Sequence, residues 1–151
     1  MIPLAPILAY RGPLEIIALI AAILPMLIIL RAWDTLPDEI PCHFGITGRP
    51  DRWGGRWQAW VFPIVALGLY ATFSVITGTW EWVLGRQGEP RRGTELLVLI
   101  KPMICLLIAY VSYATVRVAR KEKEGLNPWI MFALVALVIA PGIALALLAK
   151  R

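Results

Sequence analysis

The sequence is short of charge, of cysteine and of histidine, and each shortage closes off a class of protein. Charged residues make up 17% of its 151 positions, against about 25% in an ordinary soluble chain. So little charge fits neither a soluble globular domain nor a disordered segment. Cysteine occurs twice, at Cys42 and Cys105, which is too few for a disulfide-built framework. One lies in a polar loop and the other in an apolar run, so no bond between them is expected. The single histidine, His43, excludes bis-histidine haem ligation and leaves Ser74 and Ser112 without a second imidazole as base. No glycine-rich phosphate loop is present. Residues 1–10 carry no charged side chain, the first being Arg11, and no small-x-small cleavage signal follows the apolar run from Ile16. The first helix is therefore expected to be retained and not cleaved as a signal.

What the sequence has in excess is apolar surface. Hydrophobic residues reach 59% before the 12 glycines are counted, and mean hydropathy is +0.71. Soluble chains reach only about 45–50% with glycine included. A bilayer core takes about 20 apolar residues per helix, and four runs are long enough: about 13–30, 58–79, 96–116 and 128–149. None alternates with the period of two that a barrel strand requires. Pro13 opens the first run, Thr94 and Glu95 precede the third, and Asn127-Pro128 opens the fourth. The expected architecture is an all-α integral membrane protein with four transmembrane helices, a single membrane domain over 1–151.

The seven tryptophans agree with this reading. Trp33, Trp53, Trp57, Trp60 and Trp129 fall at span ends on one side, Trp80 and Trp82 on the other. That is the interfacial preference of the indole ring. Each run also holds a proline (Pro25, Pro63, Pro102, Pro141), and kinks are expected at Pro25, Pro102 and Pro141. Ala136, Ala140 and Ala144 recur every fourth residue, a spacing that allows close helix packing, by default within the monomer. Orientation is undecided. Six basic residues (Arg11, Arg86, Arg91, Arg92, Lys150, Arg151) face eight on the opposite side (Arg31, Arg49, Arg52, Arg56, Arg117, Arg120, Lys121, Lys123). The net charge of +5 sits mostly between apolar runs, where anionic lipid is the nearer partner than nucleic acid.

Residues 33–57, between the first two spans, read W-D-T-L-P-D-E-I-P-C-H-F-G-I-T-G-R-P-D-R-W-G-G-R-W. Their density of Gly and Pro sets turns at defined points, so an ordered loop is expected. Residues 40–44 are extended in character and 47–51 read as a turn, a pattern that admits a short hairpin over the mouth of the bundle. The pattern L-P-x-x-I-P-x-H-F-x-x-x-G-x-P-D-x-W is carried by Leu36, Pro37, Ile40, Pro41, His43, Phe44, Gly48, Pro50, Asp51 and Trp53. It resembles the signature of a bacterial membrane domain of unknown function. That domain is shared with the N-terminal region of immunity proteins against the sporulation-delaying toxin (SdpI-like proteins). The resemblance implies a multi-pass protein of the bacterial cytoplasmic membrane, tied to toxin immunity or to signalling through a partner. It supplies no catalytic residues.

The residues themselves leave several readings open. His43 beside Cys42, with Asp34, Asp38, Glu39 and Asp51 nearby, is a donor set zinc accepts. Adjacent ligands seldom reach one ion, however, and a hydrogen-bonding role for His43 within the loop is the simpler expectation, so no metal or cofactor is assigned. The loop acids are expected to be solvated or paired with Arg49, Arg52 and Arg56. Lys101 is the one cation inside a span, and at the bilayer centre a cation costs at least about 2.5–3.5 kcal/mol. It lies roughly 8 Å from the end of its run at about 1.5 Å per residue. It can snorkel to the headgroups or turn inward to Glu95, Glu15, an anionic lipid or a partner. The basic segment 117–123 reads as a helix end touching lipid.

The leading expectation is a non-enzymatic protein that binds or signals through residues 33–57 and the bundle mouth, with a protein or peptide as partner. The alternative is a small accessory subunit of a larger membrane complex, or a homo-oligomer, packed through the alanine face. A weaker third reading is a transporter or membrane enzyme using Lys101 and the loop acids.

Overall fold

The computed structural model describes residues 11–87 and 92–149. Among them the chain forms four α-helices, α1 (Arg11–Ala32), α2 (Val61–Gln87), α3 (Arg92–Ala119) and α4 (Pro128–Ala149). Between α1 and α2 stand a short 3-10 turn (Trp33–Thr35), strands β1 (Glu39–Phe44) and β2 (Pro50–Gly55), and a second 3-10 turn (Arg56–Trp60). The fold is thus mostly helical but not all-α, because residues 33–57 contain a small antiparallel hairpin. The segments Arg11–Thr35, Arg56–Thr79 and Leu96–Ala119 are long and apolar enough to cross a membrane, and a shorter apolar stretch covers Pro128–Ala144. Residues 1–10 and the basic pair at 150–151 lie outside the described residues.

Inside and outside are inverted relative to a soluble bundle. The buried face of α1 is Ala18, Ala21, Ala22, Pro25, Ile29 and Ala32. Its outward face carries Ile16, Ile17, Leu19, Ile20, Ile23, Leu27 and Leu30. Large aliphatic groups gain nothing by leaving lipid tails for a protein interior. Small residues, by contrast, let helix backbones approach and gain dispersion contact. Helix α1 packs most extensively on α3, and α2 packs on both. The helices run without interruption through Pro25, Pro102 and Pro141.

Helix α4 makes its main contacts with α3. Its entry is set by Asn127, whose side-chain oxygen accepts from the Trp129 N–H at 3.0 Å, while its own N–H donates to the Tyr110 hydroxyl at 3.2 Å. With Pro at the first helical position, this is a capped helix start. Ala136, Ala140 and Ala144 are exposed, so the expected packing of this face within the monomer is not what forms; α3 meets α4 elsewhere.

The hairpin is locked onto the bundle from two directions. Leu36 and Ile40 are buried with Ile29, Ala32, Ala59, Val116 and Ala119, a cluster joining the ends of α1 and α3 to the cap. The turn lies at 45–49, earlier than the 47–51 expected, closed by Gly45 N–H to Arg49 C=O at 2.9 Å and Gly48 N–H to Gly45 C=O at 2.8 Å. Its far side meets the α3–α4 connection, where the Leu126 N–H donates to the Gly48 carbonyl at 2.8 Å. Gly48 has φ +78°, and a Cβ there would lie 2.2 Å from the Leu126 carbonyl oxygen; a Cβ on Gly125 would lie 2.3 Å from the Gly48 oxygen. Two backbones meet here with no room for a side chain on either.

Gly48→Ala is therefore expected to lower stability by about 2–4 kcal/mol, the left-handed backbone penalty adding to the overlap. Gly125→Ala should act in the same direction. Gly68→Ala, on a lipid-facing turn of α2 with open space around it, should leave stability unchanged or slightly raised. Thermal unfolding in detergent, with limited proteolysis of the hairpin, distinguishes the three.

Candidate functional site

Two constellations stand out, one beyond the helix ends and one within the helices. The outer one is the hairpin. Its register pairs Glu39 with Gly55, Ile40 with Gly54 and Pro41 with Trp53, then shifts so that His43 opposes Arg52 and Phe44 opposes Pro50. The irregularities flanking His43 re-aim the local side chains, as bulges do. The imidazole of His43 then meets Asp51 across the hairpin, Nδ1 to Oδ1 at 2.6 Å, with both side chains more than half exposed. This contact joins two residues of the sequence pattern at the protein surface. Cys42, between Pro41 and His43, is half-buried and its thiol lies 3.4 Å from the Ile40 carbonyl. Burial pushes that thiol up, and the neighbouring Arg52 guanidinium offsets part of the rise. Cys42 and His43 thus serve different surroundings. Among the described residues no group of three His, Cys, Asp or Glu is placed to hold a metal ion.

The sequence pattern is largely a packing code. Leu36, Ile40 and Pro41 are buried, Phe44 and Pro50 are half-buried, and Gly48 provides the backbone approach to Leu126. Pro37 is exposed ahead of β1. Outward from this frame project Ile46 at the hairpin tip, 89% exposed, together with Trp53 and Trp57. At the base of the cap, Trp33 and Trp60 meet at a tilt, with ring centroids 5.6 Å apart and planes 50° apart, and the Arg56 guanidinium lies 5.0 Å over Trp33. Aromatic contacts reinforced by a cation are worth up to about 1 kcal/mol each. Here they join the end of α1 to the residues leading into α2.

The inner constellation is built around Lys101. Its side chain is 0% exposed, and Nζ donates to both carboxylate oxygens of Glu15 at 2.6 Å and to the Ser74 hydroxyl at 3.1 Å. The Tyr70 ring lies 5.2 Å from the ammonium. Glu15 comes from α1, Tyr70 and Ser74 from α2, and Lys101 from α3, so one cation ties three helices. Of the two dispositions open to Lys101 on sequence grounds, it is the inward one that forms. Glu15 is the counter-charge; the Glu95 side chain lies outside the described residues. Nothing in the sequence marks Tyr70 or links Ser74 to Lys101, although their spacing of four places both on one face of α2. A turn beyond Lys101, Cys105 is buried against Ala21 and Ala22.

These two constellations are not one site. Glu15 and the hairpin lie at opposite ends of α1, roughly 25 Å apart at about 1.5 Å per residue. The loop acids Asp34, Asp38, Glu39 and Asp51 therefore cannot act together with Lys101. Asp34, Asp38 and Glu39 are exposed, and Asp51 is engaged by His43.

The family model described as Domain of unknown function (DUF1648) matches residues 20–67. That stretch covers the second half of α1, the cap and the first turns of α2, and leaves out Glu15, Tyr70, Ser74 and Lys101. No curated protein and no solved structure matches the chain.

Lys101→Met should destabilise the bundle by about 3 kcal/mol, at the low end for a broken buried pair because Glu15 keeps 26% exposure. The double variant Lys101→Met with Glu15→Leu should recover part of that loss. Additive losses in unfolding experiments in detergent would show that the pair is not coupled. For Cys42 the raised pKa predicts less thiolate near pH 8 than a free thiol has. On a Cys105→Ser background, alkylation should reach half its limiting rate at a higher pH than a small peptide thiol, and Arg52→Gln should move it higher still.

Proposed function

We propose that this chain is a non-enzymatic, multi-pass protein of the bacterial cytoplasmic membrane that recognises a protein or peptide partner through its hairpin cap. The observation that carries the reading is the exposure of Ile46 and Trp53 on a hairpin held by its base and its tip, with Trp57 exposed in the turn that follows it. A cap needed only to close the bundle would have no use for an aliphatic group at its outermost turn. Exposed apolar groups on a pre-organised frame lower the entropy of ordering on binding, which favours recognition. The resemblance of the 36–53 pattern to the SdpI-like group supports toxin immunity or partner signalling as the setting. The His43–Asp51 contact belongs to that surface and fixes its shape.

A second reading, a small accessory subunit of a larger membrane complex, is favoured by a different observation. Helix α4 leans on α3 and leaves Ala136, Ala140 and Ala144 exposed, a face suited to close approach by another helix.

A photo-crosslinking residue at Thr47, used in native membranes, tests the first reading. A discrete protein or peptide adduct is expected, and it should disappear in Ile46→Ser and Trp53→Ala backgrounds, substitutions of exposed side chains that leave the fold intact. Adducts to lipid alone, or adducts indifferent to both substitutions, would overturn it. A protein adduct from Ala140 with none from Thr47 would instead support the accessory-subunit reading.

A further inference from the structure

Where α1 and α3 end beside the cap, an open cleft of about 240 Å³ lies between them. Its floor is apolar, formed by Ile28, Ala32 and Val116, and its rim is basic, formed by Arg31, Arg117 and Arg120. The last turns of two membrane-length helices fix its depth, since Arg11–Thr35 and Leu96–Ala119 both finish here. Trp33, just past the end of α1, and Trp60, just ahead of α2, meet beside the cleft and mark the headgroup level. The arginines are not equally engaged. Arg117 donates through Nε to Glu122 at 2.8 Å and through a terminal nitrogen to the Tyr113 hydroxyl at 2.8 Å. Arg120 donates to the Thr35 hydroxyl and stands 3.8 Å from the other oxygen of Glu122. Arg31 is exposed and forms no ion pair among the described residues.

Two guanidiniums therefore share one carboxylate, and the third, Arg31, has none among the described residues. Glu122 occupies the position between two of them that a bidentate anion would take, and the cleft keeps a surplus of positive charge. We propose that this cleft is a binding site for the phosphate of an anionic phospholipid, its acyl chain running down the apolar floor between α1 and α3, with Glu122 as the competing internal anion. A soluble phosphate shares the headgroup chemistry but has no use for the floor. The floor and the depth commit the site to lipid. Glu122 sets its strength: while its carboxylate bridges Arg117 and Arg120, the lipid has Arg31 and the outer edge of the rim, and displacing it opens the full fork.

Purified full-length protein in neutral detergent, titrated with phosphatidylglycerol or phosphatidylcholine and read by thermal shift and native mass spectrometry, tests the assignment. Phosphatidylglycerol should bind and stabilise; phosphatidylcholine should not. Arg31→Gln should weaken phosphatidylglycerol roughly fivefold, the share of one basic residue near a membrane surface. Glu122→Gln should strengthen it by a similar factor. Arg49→Gln, which makes the same charge change on the hairpin tip, should leave it unaltered. The proposal is overturned if the two lipids bind alike, if Arg49→Gln weakens binding as much as Arg31→Gln, or if Glu122→Gln fails to strengthen it. Stabilisation by millimolar inorganic phosphate equal to that by the lipid would likewise overturn it in favour of a free-anion site. The opposite signs of the Arg31 and Glu122 variants separate a site from general attraction to charge, and the Glu122 arm reads out in protein that retains every arginine.

Discussion

The bilayer withdraws the force that folds soluble bundles, and the ion pair between Lys101 and Glu15 is what most directly replaces it. Lipid tails are as apolar as leucine, so burying aliphatic surface between helices gains little. The inversion of α1 follows, with alanines inward and isoleucines outward. Close packing of small residues holds helices together without strongly choosing among rotations and depths. A buried ammonium does choose. It has to find a carboxylate, and here both oxygens of Glu15, the Ser74 hydroxyl and the Tyr70 face converge on it. Once that cation is placed, the register of α1, α2 and α3 is set.

The register decides what happens at the other end. With α1 and α3 fixed, Ile29, Ala32, Val116 and Ala119 form a shallow apolar seat at the helix ends, and Leu36 and Ile40 fill it. The hairpin is then carried over to the α3–α4 connection, where Gly48 and Gly125 let the two backbones meet. The cap is thus supported by α1, α3 and the following connection together. The same convergence of helix ends leaves the arginine-rimmed cleft beside the cap, because long basic side chains at the membrane boundary direct their heads outward while their stems cover apolar surface.

Legibility in the sequence followed the physics of each feature. The helices announce themselves because lipid demands long uninterrupted apolar runs. The start of α4 is readable in Asn127-Pro128 because capping is a local interaction. Residues 33–57 show their turns through glycine and proline, but the turn falls at 45–49 and not at 47–51, since the docking of Gly48 on Leu126 fixes where the chain reverses. Nothing local in the sequence marks Gly125. Its requirement arises only from a chain segment far away in sequence. The alanine spacing in α4 is periodic, yet those residues remain exposed, because α3 offers its complementary surface to another part of that helix.

Residue order alone determined the apolar runs long enough to cross a membrane, the presence of a turn-rich segment after the first of them, and the anomaly of a lysine in an apolar run. Each depends on composition or on neighbours a few positions apart. The helices α2 and α3 themselves extend past their runs, to Gln87 and from Arg92. Only the tertiary structure decided that Lys101 meets Glu15, that His43 meets Asp51 across an irregular hairpin, and that Arg31, Arg117 and Arg120 rim one cleft. Such choices depend on the rotation and depth of helices relative to one another. Charge is long-ranged and has more than one candidate partner in a sequence; geometry leaves it one.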